Sequence, residues 1–238
     1  MKVYVSLTSI VDNLPSLYHT LGSLLNQSYK ADIYLFLSPM PYLQDTGFTG
    51  YRIPEWLDSM PIEIRWVNNI GPYRKLLPLL NEVEEDDIII TCDDDTIYDK
   101  DFVKGLVETY MDERCCVAYR CKLWIPGCKY FEMKDSELKS VSNFHTGKGG
   151  VLYTPKMFHG CDIMSDRFLK ICPTNDDFWF NFWRMKNNIP CFHLKQSFMI
   201  EDLHNAKTAL YNNYNEKTND SQMIATYKYV FQVDEEAL

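Results

Sequence analysis

The chain has 238 residues, 46% of them apolar, 14% aromatic and 24% charged, enough to build a core and to exclude general disorder. Its 24 Lys and Arg against 33 Asp and Glu leave a formal charge of −9, which argues against nucleic acid as a partner, because binding a phosphate backbone draws on basic surface. An anionic small ligand then needs a local cation or a metal ion, and the length favours one domain.

In chain order, residues 3–7 read as a short buried strand. They carry one nearby lysine and an apolar run interrupted by Ser6 and Thr8, the pattern of a strand rather than a secretory leader. Pro15 opens a helix whose Leu17, Leu21, Leu24 and Leu25 share one face. Residues 33–37 form a second strand, and 38–60, rich in Pro, Gly and Asp, a long loop. A third strand covers 62–67, and a helix with Leu76, Leu77, Leu79 and Leu80 follows Gly71-Pro72. The fourth strand is 88–91, then come a helix over 102–111 and a strand over 116–119. Such alternation predicts an α/β fold with a mostly parallel sheet flanked by helices. The second half is less regular: strands at 149–153 and 191–194, a helix at 176–185 and a weak helical pattern from 221 to 232.

There are eight cysteines and no Cys-x-x-Cys spacing, which argues against zinc ribbons and dithiol redox sites. Cys92, Cys116 and Cys191 lie in apolar stretches, as reduced core thiols do, and no stretch is long and apolar enough to span a membrane. The expected location is therefore the cytoplasm. There the glycosylation patterns at Asn26 and Asn219 have no meaning.

The most informative stretch is Ile88-Ile89-Ile90-Thr91-Cys92-Asp93-Asp94-Asp95. Three adjacent carboxylates at the end of a buried strand repel one another and lose hydration. A divalent cation relieves both costs, and hard cations prefer carboxylate oxygen. Open α/β sheets bind ligands at the carboxyl ends of their strands. A solvated acidic turn capping the next helix is the plainer explanation. Two enzyme classes put an Asp-x-Asp at such a place. In haloacid-dehalogenase phosphatases a Thr or Val follows two residues on, where this chain has Ile97, and the Asp strand comes early in the chain. In metal-dependent glycosyltransferases of the GT-A type the motif ends the fourth strand, as it does here.

On these residues the chain resembles bacterial GT-A glycosyltransferases, in the neighbourhood of family 2. The resemblance covers most of residues 1–195 and rests on four segments: Val5-Ser6-Leu7-Thr8-Ser9-Ile10; Asn69-Ile70-Gly71-Pro72-Tyr73-Arg74-Lys75; the Asp triplet; and Gly147-Lys148-Gly149-Gly150 together with Cys172-Pro173-Thr174-Asn175-Asp176-Asp177. It implies a donor half over 1–120, an acceptor half over 121–205 and a helical tail over 206–238. By resemblance, Thr8, Ser9 and Asn69 belong to the nucleotide pocket. Lys75, at a helix start, holds the diphosphate, and Gly149 and Gly150 let backbone approach the donor sugar.

Asp95 is the first choice as ligand to Mn²⁺ or Mg²⁺. Asp93 contacts ribose or a metal-bound water, Asp94 can replace either, and His204 is a further candidate ligand. Asp176 and Asp177 face the acceptor, with Asp177 preferred as general base in an inverting displacement; helix capping is the alternative for both. The implied partners are a nucleoside-diphosphate sugar, UDP foremost, and a glycan or lipid-linked acceptor met at the inner face of the membrane, in bacterial surface polysaccharide synthesis. A phosphatase, a nucleotidyltransferase and a non-catalytic sugar-nucleotide binder are the rival readings.

Overall fold

A computed structural model describes residues 1–233. Its elements run β1 (Val3–Thr8), α1 (Leu14–Leu25), β2 (Asp32–Leu37), α2 (Glu55–Asp58), β3 (Glu63–Trp66), α3 (Leu77–Leu80), β4 (Ile88–Thr91), β5 (Thr96–Tyr98) and α4 (Phe102–Glu113). The second half adds β6 (Cys116–Ala118), β7 (Cys121–Leu123), β8 (Lys134–Asp135), β9 (Lys139–Ser140), β10 (Asn143–His145) and β11 (Val151–Tyr153). It ends with α5 (Phe168–Ile171), α6 (Asp176–Lys186), β12 (Cys191–His193), β13 (Met199–Asp202) and α7 (Glu216–Phe231).

Eight strands form one sheet in the order β3-β2-β1-β4-β11-β6-β12-β9. The first four are mutually parallel, and β11 runs antiparallel between β4 and β6. Strand β4 is buried along its whole length, which is why it reads as continuous isoleucine rather than as an alternating pattern. The expected mixed, mostly parallel sheet flanked by helices is present.

The helix expected after Gly71-Pro72 is instead a 3-10 segment, Gly71–Lys75, followed by the single turn α3. Pro78 lacks the N–H that a continuous helix would bond to the carbonyl four residues back, so the helix breaks at Leu76. Lys75 accordingly ends a turn and does not sit at a helix N-terminus.

The tail pattern is also longer than read. Helix α7 begins at Glu216, packs on α6, and reaches the turn before α6 through buried amides. Asn215 Oδ1 accepts from Thr174 Oγ1 at 2.5 Å, Gln222 Nε2 donates to Thr174 Oγ1 at 2.7 Å, and Asn175 Nδ2 donates to Asn219 Oδ1 at 2.9 Å.

Candidate active site

A cleft of about 510 Å³ opens at the C-terminal ends of β1 and β4, where sheets of this kind bind ligands. The Asp triplet fills the turn from β4 to β5, and its three carboxylates do different work. Asp94 is buried and points back to the end of β1. It accepts from the Ser9 hydroxyl and from Asn13 Nδ2 at 3.1 Å, while its carbonyl accepts from Thr20 Oγ1 at 3.0 Å. Burial, then the neighbouring Asp95 charge, push its carboxyl up to about 7 against the Ser9 and Asn13 hydrogen bonds. Asp94 is therefore a fastener between β1 and β4. Both of its oxygens accept from these groups, and it also lines the cleft beside Asp93 and Asp95.

Those two carboxylates face the cleft. Asp95 Oδ2 lies 3.7 Å from His204 Nδ1, and burial followed by the Asp93 charge push its carboxyl up to about 6, opposed by Lys148 and His204. The Asp93 amide donates to Tyr98 Oη at 3.0 Å, which fixes the turn, and its Oδ1 meets Lys75 Nζ at 3.1 Å.

Lys75 joins the two sides of the cleft. Its Nζ is 3.1 Å from Asp93 Oδ1 and 3.1 Å from Asp176 Oδ2, and its side chain is 8% exposed. Burial pulls its pKa down, but the carboxylates of Asp176, Asp93 and Asp177 outweigh burial and hold the ammonium well above its ordinary value. The expected diphosphate lysine thus has its charge committed to two aspartates.

Asp176 and Asp177 open α6, where the helix dipole favours carboxylates. Asp176 is buried against Lys75. Asp177 is half-buried on the cleft wall and accepts the Gly147 amide on Oδ1 at 2.9 Å. Burial first, then the Asp176 charge, push Asp177 up to about 7, with Lys75 and Gly147 opposing. The aromatic residues behind them, Phe178, Trp179, Phe180, Phe182 and Trp183, are core.

Other expected residues fall elsewhere. Thr8 and Ser9 line the cleft, but the Thr8 hydroxyl donates to the Phe36 carbonyl at 2.7 Å and that of Ser9 to Asp94, so the backbone at the strand end is what they offer a ligand. Asn69 is outside the cleft lining. Its Nδ2 donates to the Met40 carbonyl at 2.7 Å and to Asp45 Oδ2 at 2.8 Å, which organises the loop. Gly149 and Gly150 do not line the cleft either. A Cβ on Gly149 would stand 2.8 Å from Arg120 Cγ, and one on Gly150, at φ +80°, 2.5 Å from the buried Phe102 ring; the close approach of Arg120 accounts for the first glycine and core packing for the second. Of the loop aromatics, Tyr42 lines the cleft, while Phe48 and Tyr51 pack on Trp66, and Trp56 on Tyr18.

Several cleft residues escaped the sequence reading. Arg74 is 1% exposed and pairs with Asp45 at 3.0 Å. Gly147 lines the cleft between its two acidic sides, and a Cβ there would meet Lys75 Nζ at 2.9 Å and Asp177 Oδ1 at 3.1 Å. Thr208, Leu210, Tyr211 and Asn215 close one side of the cleft from the segment regarded as tail. The Gly-x-Gly-Gly pattern signalled Gly147, but no local signal marked the other residues.

Among the described residues no three His, Cys, Asp or Glu side chains converge as a ready-made metal cage. Ions of the Mg²⁺ type do not need one, because one or two carboxylates plus substrate phosphate and water complete their shell. Asp93 and Asp95, whose mutual repulsion helps raise Asp95, offer hard oxygens and an unbalanced negative charge that fit such an ion, and His204 adds an imidazole suited to Mn²⁺.

The sheet order, with an acidic turn after the fourth strand, is that of the GT-A nucleotide-sugar transferase fold. No family model and no curated protein matches the chain. Solved structures do. TarS 1–349 from S. aureus, in complex with UDP, superposes with a TM-score of 0.57 at 14% identity over 83% of this chain. The mannosyltransferase PcManGT from Pyrobaculum calidifontis, in complex with GDP-Man and Mn²⁺, gives 0.60 at 11% identity over 98% of this chain and 65% of its own. A 4-diphosphocytidyl-2C-methyl-D-erythritol synthase from Anaerococcus prevotii gives 0.53 at 13% identity over 91% of this chain and 99% of its own. This chain spans 59% of the TarS 1–349 structure.

Proposed function

We propose that this protein is a glycosyltransferase that moves a sugar from a nucleoside-diphosphate donor, UDP-linked, to a glycan or lipid-linked acceptor with inversion. The observation that carries this reading is the cleft itself, in which Asp93 and Asp95 stand on one side of Lys75 and the Asp176-Asp177 pair on the other. Asp95 and Asp93, with His204 beside them, would hold Mn²⁺ or Mg²⁺. When bound, that ion supplies charge neutralisation for the diphosphate leaving group. The backbone at the end of β1, near Thr8 and Ser9, borders the space for the nucleoside. Asp177, raised towards neutrality and open to the cleft, is suited to take the proton of an acceptor hydroxyl as that oxygen attacks the anomeric carbon. Asp176 and Lys75 hold Asp177 in an electrostatic setting that the helix start fixes in place. The acidic surface is no obstacle, since a cation mediates between two anionic partners.

A role in bacterial surface polysaccharide synthesis, at the inner membrane face, suits such an acceptor. No helix among the described residues is long and apolar enough to cross a membrane, and the eight cysteines are unpaired, as in a reducing compartment. The haloacid-dehalogenase reading loses its basis, because the Asp turn follows the fourth strand of the sheet order 3-2-1-4. The 4-diphosphocytidyl-2C-methyl-D-erythritol synthase from Anaerococcus prevotii shares the fold, so the nucleotidyltransferase reading is tested beside the transferase.

Thermal shift with UDP, UDP-sugars and CTP, each with and without Mn²⁺, separates these readings. A UDP-dependent rise that needs Mn²⁺ and vanishes in Asp95→Ala supports the transferase; saturation at 100 times Kd is worth about 2.7 kcal/mol. Metal-independent donor binding, or pyrophosphate release from CTP, would overturn it.

A further inference from the structure

A second groove, of about 350 Å³, adjoins the cleft and shares Arg120, Tyr130 and Thr146 with it. Its lining contains none of the Asp triplet, Thr8, Ser9 or Arg74, and the shared Thr146 is followed by Gly147, whose amide donates to Asp177 Oδ1 at 2.9 Å. The groove therefore joins the cleft beside the candidate base.

Its lining contrasts with the rest of the protein. On a chain of net charge −9 it carries Arg120 and Lys122 and, among the described residues, no Asp or Glu. Both cations are exposed. Arg120 has no carboxylate within ion-pairing distance among the described residues, and Lys122 has only the fully exposed Asp135 at 3.3 Å, a contact worth little in water. His193 is not a third cation. Ser136 Oγ and the Tyr119 carbonyl engage its two ring nitrogens, at 2.5 and 3.2 Å, and burial lowers its pKa.

Phe131 lines the same groove and is 68% exposed, a large apolar face left in water beside two cations. Its segment is fixed in place, because the adjacent Tyr130 amide donates to Asp220 of α7 at 2.8 Å. An aromatic face for a sugar ring next to a pair of cations suits an anionic carbohydrate.

Resting on the transferase reading, we infer that this groove is the acceptor subsite and that it takes a glycan bearing an oxyanion, a phosphate or a carboxylate, whose charge sits on Arg120 and Lys122 while a sugar ring stacks on Phe131.

The test is ligand-observed NMR on the full chain with glucose 6-phosphate, glucuronate and glucose, in the presence of UDP and diamagnetic Mg²⁺ so that donor phosphate positions are occupied. The anionic sugars should bind at least tenfold more tightly than glucose and weaken with salt. The double variant Arg120→Gln/Lys122→Gln, which removes both charges but leaves polar side chains at exposed positions, should lose that tenfold preference, and Phe131→Ala should weaken all three sugars. Preference for glucose 6-phosphate over glucuronate, or the reverse, identifies the oxyanion. Equal binding of glucose and the anionic sugars, or an undiminished preference in the double variant, overturns the proposal. UDP titration of the wild-type protein reports on the donor reading alone: if UDP fails to bind while the anionic preference still depends on Arg120 and Lys122, the donor reading falls and takes the acceptor role with it, while the groove stands as a site for anionic sugars.

Discussion

Replacing Lys75 with Met removes the one ammonium between two carboxylates while keeping most of the side-chain volume. At 3.1 Å and an effective dielectric of about 20, each pair has a gross attraction of about 5 kcal/mol. Desolvation of three charges cancels much of that. The Asp93 pair, with its carboxylate 32% exposed, is screened and adds less than the pair with Asp176, which is 9% exposed. Removing one partner strands the buried Asp176, so we expect a loss of about 3–5 kcal/mol at pH 8, or a fall in Tm of roughly 10 °C. The effect carries a pH signature. Asp176 already sits above its ordinary value through burial, with Lys75 its main opposing influence. Without Lys75 it rises further. A carboxyl raised in the folded state contributes stability that is fully present below its unfolded pKa and lost as pH rises through its folded pKa. The deficit of the variant should therefore shrink between pH 8 and pH 5. Urea melts of both proteins at the two pH values measure this; a deficit under about 1 kcal/mol at pH 8, or one that does not change with pH, would refute the account of Lys75 as the tie between the two halves of the cleft.

Asp177→Asn should retain UDP binding and lower transfer or donor hydrolysis by about 10²–10⁴-fold. In the wild type the rate should rise with pH through about 7, where the raised Asp177 carboxyl loses its proton, and a rate–pH profile of the variant should lack that acid limb. Gly150→Ala places a Cβ 2.5 Å from the Phe102 ring at φ +80° and should cost about 2 kcal/mol or more, read as a lower Tm. Arg74→Met leaves Asp45 buried with only Asn69 and the Gly47 amide as donors. A loss of about 3 kcal/mol in denaturant melts is expected, and Asp45→Asn, which strands the buried Arg74 guanidinium instead, should cost a similar amount.

The elements that local pattern made legible are those whose burial is uniform or periodic. The isoleucine run of β4 is apolar throughout because both faces of that strand are covered. The leucines of α1 repeat at helical spacing because one stripe meets the sheet. The acidic turn after β4 stood out because three adjacent carboxylates are costly without a partner. A short motif also sufficed to single out the start of α6. Local pattern was less reliable about the role of each residue. Asp94 and Asp95 are neighbours of identical chemistry, and only the approach of Ser9 and Asn13 from the end of β1 turns one into a fastener and leaves the other facing the cleft. Gly149 and Gly150 have a packing explanation once Arg120 and Phe102 are seen against them. Lys75 looked like a free cation at a helix start, and it becomes a buried tie because Pro78 interrupts the helix and α6 brings Asp176 to it from a hundred residues away. The same holds for the segment before α7. Nothing in its composition marks Thr208 or Asn215 as cleft residues, since Asn215 is held by Thr174 ahead of α6 and the Thr208 carbonyl by the Gln44 side chain. Strand and helix periodicity arises from neighbours a few residues apart, and the sequence displays it directly. A side chain's role depends on which distant group shares its buried space, and that is settled when the sheet closes around β4 and the last helix packs against α6.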